Sequence, residues 1–486
     1  MSWLQFPIGT QKKERGAAAI FLTNTLTEQK EQFVPLKSGI ATLYSCGPTV
    51  YDRAHIGNLR PHVFADTLAR TITHAGYRVR RVINITDVGH LVSDGDEGED
   101  KVEIGARREG LSAKTITERY TKFFLDDLEE LNIDTKHILF PRASEYVKEQ
   151  ISLARTLEEK GFAYRVGDGL YFDTSRFPGY GKLGGVSEAV LSAGARVEVN
   201  PEKHRPTDFA LWKITAPGVR RLQEWDSPWG RGAPGWHLEC SAMARALLGV
   251  EVDIHTGGMD LISVHHNNEI AQSEAASGRP FARYWLHNAF LTMDGNKVSK
   301  SLGNVVYLSD IVEHGFHPLV LRYFFHQAHY RTPISFTWEA LAASAEALSR
   351  LWRLSRTVRI ESGARPTVTE NRIRFVAALR DDLNTAQALG ILWEVLRDED
   401  VDAKEKWGLL LDADALLGLL LTTPPDFDAP LSDAMLPEDV RIMRNERDAA
   451  RVAKDFAAAD TMRERLIACG YRVEDGPDGT LLFRDA

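Results

Sequence analysis

Two short segments hold most of the chemistry open to this chain: Cys46-Gly-Pro-Thr-Val-Tyr-Asp-Arg-Ala-His55-Ile-Gly-Asn58 and Lys297-Val-Ser-Lys-Ser301. His55, Gly57 and Asn58 open a helical pattern directly after a strand pattern. A helix start offers free N–H groups and the positive end of its dipole, so it favours phosphate. Gly57, lacking a Cβ, lets backbone approach a ligand. His55 and Asn58 can donate hydrogen bonds to phosphate oxygens as charge develops. Lys297 and Lys300 follow the Asp294-Gly-Asn296 turn and can clamp triphosphate oxygens, with Lys300 expected on the leaving pyrophosphate. No Gly-x-x-x-x-Gly-Lys-[Ser/Thr] cradle is present, so nucleotide chemistry would have to use these groups. Taken singly, each segment also reads as an ordinary helix start or a solvated basic loop.

A thiol-and-imidazole set lies between them. His265 and Glu269 are i and i+4 on a helical pattern and share a face, while Cys46 and Cys240 fall at the ends of different expected strands. Two thiolates, an imidazole and a carboxylate suit tetrahedral zinc. The thiols are far apart in sequence, so only the fold can assemble such a site. Two buried thiols beside a surface His/Glu pair are the plainer alternative. His237, His255 and His266 are rival ligands, with His266 expected to point away from the 265/269 face. Trp236, beside the second thiol, either walls a small-substrate pocket or fills the core. His255-Thr-Gly257-Gly-Met-Asp260 is a glycine-rich turn ending in a carboxylate, which can accept ribose hydroxyl protons.

The elements must bring these groups together. Residues 40–45 read as a buried strand, Gly57–His74 as a helix, and Arg78–Ile85 as a second strand, a βαβ unit that implies a parallel sheet. Residues 93–110 are charged and glycine-rich and read as a mobile surface loop. Helices are expected over Ala113–Leu131 and Ser144–Lys160. Short strands and turns over 161–230, including Ala163–Tyr171 and Asp208–Ile214, read as an insertion, and the parallel-sheet pattern resumes from Gly235 to about Val305. Amphipathic helices follow over Thr337–Arg356, Thr369–Arg397 and Ala403–Leu421, then a proline-rich break at Thr422–Pro430. The remainder, from about 436, reads as two helices with an Asp475–Gly479 turn between short strands.

Composition narrows the classes. A chain of 486 residues is too long for one compact core, so several domains are expected. A net charge of -9 argues against a general polyanion binder but leaves room for a local basic patch. Three cysteines make no disulfide framework and fit a reducing cytoplasm. The apolar run Gly16–Leu22 behind Lys12–Arg15 is too short to span a bilayer and reads as a charged extension leading into a strand.

In combination the motifs resemble the cysteinyl-tRNA synthetases, a family of class I aminoacyl-tRNA synthetases. The likeness runs from about Ile20 to Gly479. It includes Cys46–Asp52, Asn84-Ile-Thr-Asp87, Asp208–Lys213, Ser227–Gly230, Gly235–Met243, Lys297–Asn304, Asp381–Thr385 and Ala450–Asp460. The resemblance implies an α/β fold: a Rossmann-like parallel-sheet catalytic domain split by an insertion, followed by an α-helical bundle and a small C-terminal α+β module. The expected divisions are an extension over 1–19, the first catalytic half over 20–145, and a connective insertion over 146–234. The second half over 235–305 holds the zinc ligands and lysine loop, 306–425 a stem-contact region and bundle, and 436–486 an anticodon-binding module.

The same resemblance assigns roles. Cys46, Cys240, His265 and Glu269 match the zinc ligands, His55–Asn58 the HIGH signature, and Lys297–Ser301 the KMSKS loop. His55, Asn58, Lys297 and Lys300 are the expected catalytic groups. Gly57, Gly257, Asp260 and Lys300 would hold nucleotide, and Gly47, Thr49, Thr86, Trp236 and His255 the amino acid. Arg451, Phe456, Asp460 and Asp475 would contact tRNA. The implied reaction joins cysteine and ATP, with Mg²⁺, to cysteinyl-adenylate and pyrophosphate, then transfers cysteine to the 3′ end of tRNA-Cys, in a cytoplasmic monomer. Zinc would supply selectivity, because it prefers the cysteine thiolate to a serine hydroxyl, which a shaped pocket alone separates only modestly. Departures are Asn58 for the last His of HIGH, Val298 for Met, Ala233 for a frequent Arg and Leu482 for a frequent Trp. A ligase passing cysteine to an amino sugar, as in mycothiol synthesis, is the near rival, but such enzymes lack the C-terminal module. A zinc hydrolase would have no need for the lysine loop, and a non-catalytic paralogue would be expected to lose His55 or Lys300.

Overall fold

The structure, a computed structural model, describes residues 19–89, 99–185, 201–219, 221–293, 296–297, 305–358, 368–427, 430–476 and 479–484. Five parallel strands form the central sheet in the order Ala282–Asn288, Val252–Gly258, Ile40–Ser45, Arg78–Ile83, Ile138–Leu139. The helix Ile56–His74 crosses from Ile40–Ser45 to Arg78–Ile83 and buries Ile56, Leu59, Val63, Leu68 and Ile72 at helical spacing. From the strand Ile40–Ser45 the chain proceeds toward one edge. From the adjacent Val252–Gly258 it proceeds toward the other. The carboxyl ends of these two strands therefore flank a topological switch point, the place where open α/β sheets bind ligands.

The insertion is a four-stranded antiparallel sheet in the order Ala163–Val166, Gly169–Phe172, Phe209–Ile214, Gly232–Pro234. The stretch Ala163–Tyr171, expected among short strands and turns, opens this sheet as a hairpin. Beyond the catalytic sheet, the helices Leu319–His326, Trp338–Val358, Glu370–Arg380, Thr385–Arg397 and Ala403–Leu417 form the bundle. Its core is continuous with that of the catalytic domain: Ile56, Leu59, Phe124, Leu321, Trp352, Leu392 and Leu416 belong to one buried cluster. The C-terminal helices Glu438–Val452 and Phe456–Ala468 and the hairpin Tyr471–Gly476/Gly479–Arg484 have a small core of their own, in which Leu482 packs with Val440, Met443, Leu466 and Val473. Leu482 therefore still fills a core position, and Ala233 is buried within the insertion sheet. No helix among the described residues is long and apolar enough to cross a membrane.

Two expectations are corrected here. Residues 93–110 are not simply a loop: Lys101–Glu109 is a helix, capped by the Asp100 carboxylate on Val102 N–H and closed by Gly110 at φ 67°. Its buried stripe is only Val102, Gly105 and Ala106, too thin to show through the charge. Residues 90–98 lie outside the described residues. The continuous helix expected over Thr369–Arg397 breaks at Asp382 and Leu383, which adopt φ 59° and φ 54°. The turn aims the buried Asp382 carboxylate at Thr23 N–H (2.8 Å) and the Tyr330 hydroxyl (2.8 Å), pinning the bundle to the catalytic domain. Asn384 then caps the second helix by accepting from Gln387 N–H.

Candidate active site and metal centre

The switch point is where the sulfur and imidazole groups meet. Cys46 follows the strand Ile40–Ser45, and its N–H donates to the Thr256 carbonyl at 3.1 Å, tying the two strand ends together. Cys240 was expected at a strand end, but it lies in the helix Trp236–Leu247, which packs over those ends. His265 and Glu269 come from the segment that follows the Val252–Gly258 strand. Cys46 Sγ stands 4.0 Å from Cys240 Sγ and 3.7 Å from Glu269 Oε1, and His265 Nε2 is 3.0 Å from the same oxygen.

These spacings fit one ion. Zinc bonds of about 2.3 Å to sulfur and about 2.0 Å to nitrogen or oxygen give tetrahedral edges of about 3.8 Å between sulfurs and about 3.3 Å between nitrogen and oxygen. Electrostatics agree. Burial works against a charged imidazole, yet Glu269 and Cys240 hold His265 up at about 10. Burial also opposes the ionised forms of its partners, but Cys46 and His265 hold Cys240 down at about 6, and His255 and His265 hold Glu269 down at about 2. Burial, Cys240 and Glu269 push the Cys46 thiol up. The opposed shifts follow from the close approach of imidazole, thiol and carboxylate groups in one buried cluster.

Surrounding histidines orient the set. His237 Nδ1 meets His265 Nδ1 at 2.9 Å, so the other ring nitrogen faces the cluster, and His255 Nε2 meets Glu269 Oε2 at 2.9 Å. His266 does not point away as expected. Residues Ile262–His266 form a π-helical turn, which changes the rotation per residue and brings His266 Nε2 to 3.3 Å from Cys46 Sγ. Cys46, His255, His266 and Glu269 therefore make a second group of compatible spacing, but it offers one thiolate rather than two.

The residues expected to hold cysteine separate into two layers. Trp236 stands at the front, half-buried, with its ring 4.4 Å from that of His265. Thr49 pairs with Thr86 in a short parallel bridge that extends the sheet. Thr86 is buried behind it: its hydroxyl donates to Glu239 Oε2 at 2.9 Å and receives Asn84 Nδ2 at 3.1 Å. Gly47 N–H donates to Asn84 Oδ1 at 2.8 Å, and a Cβ on Gly47 would fall 1.7 Å from the Asn84 carbonyl oxygen, so no other residue fits there. His255 is wholly buried, stacked on Trp285. Thr86 and His255 thus also help to hold the cluster and its strands in place. Glu239 was absent from the sequence-based set. Its signal, a carboxylate flanked by Leu238 and Cys240 in an apolar helix stretch, is weak.

The phosphate-binding candidates occupy the neighbouring helix start. His55 precedes the helix Ile56–His74, and Asn58 Oδ1 accepts from His55 N–H at 3.2 Å, a capping arrangement. Asn58 thereby keeps its amide N–H groups for a ligand. A Cβ on Gly57 would meet the His55 ring at 3.0 Å, so glycine keeps that ring in place. Gly257 is the penultimate residue of the Val252–Gly258 strand, against the His266 ring, and Asp260 is exposed just beyond the strand. The backbone of Asn296–Lys297 pairs with Leu291–Met293. Lys300 lies outside the described residues. In the C-terminal module, Arg451 and the buried Arg447 both donate to Asp475 Oδ1, at 2.6 and 2.7 Å, while Phe456 and Asp460 are exposed one helical turn apart.

Residues 32–346 match the family model of the class I tRNA synthetase (C) catalytic domain, and residues 374–421 that of the DALR domain. The chain is 47% identical over 465 residues to cysteine–tRNA ligase 1 of Burkholderia lata, covering 95% of this chain and 96% of that one. It is 40% identical over 480 residues to the cysteine–tRNA ligase of Treponema denticola, covering 93% and 97%. Among solved structures, the methionyl-tRNA synthetase of Mycobacterium tuberculosis with bound methionyl-adenylate matches over 86% of this chain and 96% of its own, with a TM-score of 0.51 at 16% identity, a likeness of fold alone. The matched domains, and the identity sustained over nearly the whole chain, show that it belongs to the cysteine–tRNA ligase family of class I aminoacyl-tRNA synthetases.

Proposed function

We propose that this enzyme activates L-cysteine with ATP and Mg²⁺ to cysteinyl-adenylate and pyrophosphate, and transfers cysteine to the 3′ end of tRNA-Cys, as a monomer in the cytoplasm. The observation that carries the reading is the convergence of Cys46, Cys240, His265 and Glu269 at the sheet's switch point, beside Trp236 and next to the His55 helix start. A zinc ion held by those four side chains would supply a Lewis acid that prefers a thiolate and lowers the pKa of a bound thiol.

The chain's own groups account for the rest. His237 and His255 fix the orientation of His265 and Glu269 through their hydrogen bonds. Trp236, its ring 4.4 Å from that of His265, would wall the cysteine side chain. The cysteine carboxylate attacks the α-phosphorus in line, and catalysis is positioning and charge stabilisation. His55, the Asn58 amide and the helix start hold phosphate oxygens, Lys297 and Lys300 stabilise the leaving pyrophosphate, and Asp260, beyond Gly257, accepts from a ribose hydroxyl. The exposed Phe456 and Asp460, with the Arg451–Asp475 pair, provide the tRNA-facing surface of the C-terminal module.

The experiment is charging of total tRNA with labelled cysteine by the zinc-loaded protein. Charging of a single cysteine-accepting tRNA is expected. Cysteine-dependent pyrophosphate exchange without any charging would leave adenylation intact and point to another acceptor.

A further inference from the structure

Arg60 sits five residues beyond His55, on the same helix, and has no role in the chemistry described so far. It is 2% exposed. Its guanidinium donates to four backbone carbonyls: Nη1 to Ala289 (2.7 Å) and Phe290 (2.8 Å), Nη2 to Thr332 (2.7 Å) and Tyr330 (3.4 Å). None of these partners is a carboxylate. Burial lowers its pKa to about 10, so the group is charged at neutral pH.

The two stretches it grips are the roots of one small sheet. Ala289 and Phe290 lead into the strand Leu291–Met293, and Tyr330 and Thr332 lead into its parallel neighbour Ile334–Phe336. The other neighbour of Leu291–Met293 is Asn296–Lys297, with Thr292 opposite Lys297. Farther along the chain, Val306 accepts from Ile56 N–H at 2.9 Å, and Tyr307 bridges His55. The stretches on either side of the lysine segment are therefore both fastened to the helix that starts at His55.

We propose that Arg60 is a positioning residue for adenylation: it sets the strand carrying Lys297 at a fixed place relative to His55 and Asn58, so that phosphate-binding groups far apart in sequence form one cradle. This rests on the cysteine-activating reading above. Only a planar five-donor fork can reach four diverging carbonyls. Lysine, with three donors on one nitrogen, keeps the charge but cannot hold both roots. A misplacement of about 1 Å is enough to lower a rate about a hundredfold.

The test uses Arg60→Lys in the full, zinc-loaded chain. The kcat of cysteine-dependent ATP–pyrophosphate exchange is expected to fall about 10- to 100-fold, the range expected for misplaced groups. The KM for cysteine, the zinc content, and the single-turnover rate of transfer from preformed cysteinyl-adenylate to tRNA are expected to hold. Because Arg60 acts through Lys297, adding Lys297→Ala to Arg60→Lys should lower exchange little beyond Lys297→Ala alone. Exchange within twofold of the unaltered enzyme, equal losses in adenylation and transfer, or full additivity with Lys297→Ala would each overturn the proposal. If Arg60→Lys fails to hold zinc, Arg60→Gln is measured in the same way. Absence of exchange in the unaltered protein would instead overturn the cysteine-activating reading.

Discussion

Glu269 is the residue around which the candidate metal centre is arranged. One oxygen faces Cys46 and His265, and the other is held by His255. His255 lies 0% exposed between Trp285 and Tyr44, and so acts on the ligand from behind. Replacing it by Gln should weaken zinc binding about 10- to 100-fold, the usual effect of losing an orienting partner, with the fold retained. Competition with a chromogenic chelator measures this, and unchanged affinity would remove His255 from the site. That Cys46, Cys240, His265 and Glu269 come together was suggested by their residue types, but the geometry was only partly legible. His265 and Glu269 share a face as their spacing implied, whereas the π-helical turn that swings in His266 leaves no mark in the sequence. Arg60 did leave one. It interrupts the buried stripe Ile56, Leu59, Val63, where a charge signals a buried partner.

At the scale of elements, the His55 helix is also anchored deeper in the fold. The buried Asp66 carboxylate accepts from Arg322 (2.7 Å), Arg81 (2.9 Å) and Arg70 (2.6 Å), and Arg322 reaches on to the carbonyls of Leu131 (2.8 Å) and Leu417 (2.6 Å). Helix, sheet and bundle are joined at one carboxylate. Burial alone would raise the pKa of Asp66, but Arg322, Arg70 and Arg81 hold it well below the usual carboxylate range. A depressed folded-state pKa means that the stabilisation is fully present above about pH 4, the unfolded value, and is lost as pH falls below it. Asp66→Asn should therefore destabilise the protein by roughly 3–5 kcal/mol at neutral pH, because it strands buried arginines. In thermal melts, its deficit against the unaltered chain should shrink as the pH is lowered toward 3. A deficit independent of pH would contradict the charge-based account. Long periodic elements such as Ile56–His74 were legible. The break at Asp382 and Leu383 was not, because tertiary bonds to Thr23 and Tyr330, and no local propensity, hold those residues at positive φ.

For the whole molecule, the layout follows from one βαβ unit. Once Ile40–Ser45 and Arg78–Ile83 are parallel with His55 at the crossover helix, the ligand end of the sheet is determined, and pairing of Val252–Gly258 on the other side of Ile40–Ser45 sets the switch point. The separate C-terminal core, announced by the proline-rich break, was legible too. What sequence alone could not supply was the convergence of Cys46 and Cys240, 194 residues apart, which needs the end of the strand Ile40–Ser45 and the helix Trp236–Leu247 together. The central claim is that this convergence holds the metal that recognises cysteine. X-ray absorption at the zinc edge on the purified enzyme, with and without cysteine, tests it most directly. One zinc per chain bound by two sulfurs and two lighter atoms is expected, with a third sulfur on adding cysteine but not serine. Stoichiometric zinc whose sulfur count does not change with cysteine, or full charging activity from a zinc-free protein, would contradict it.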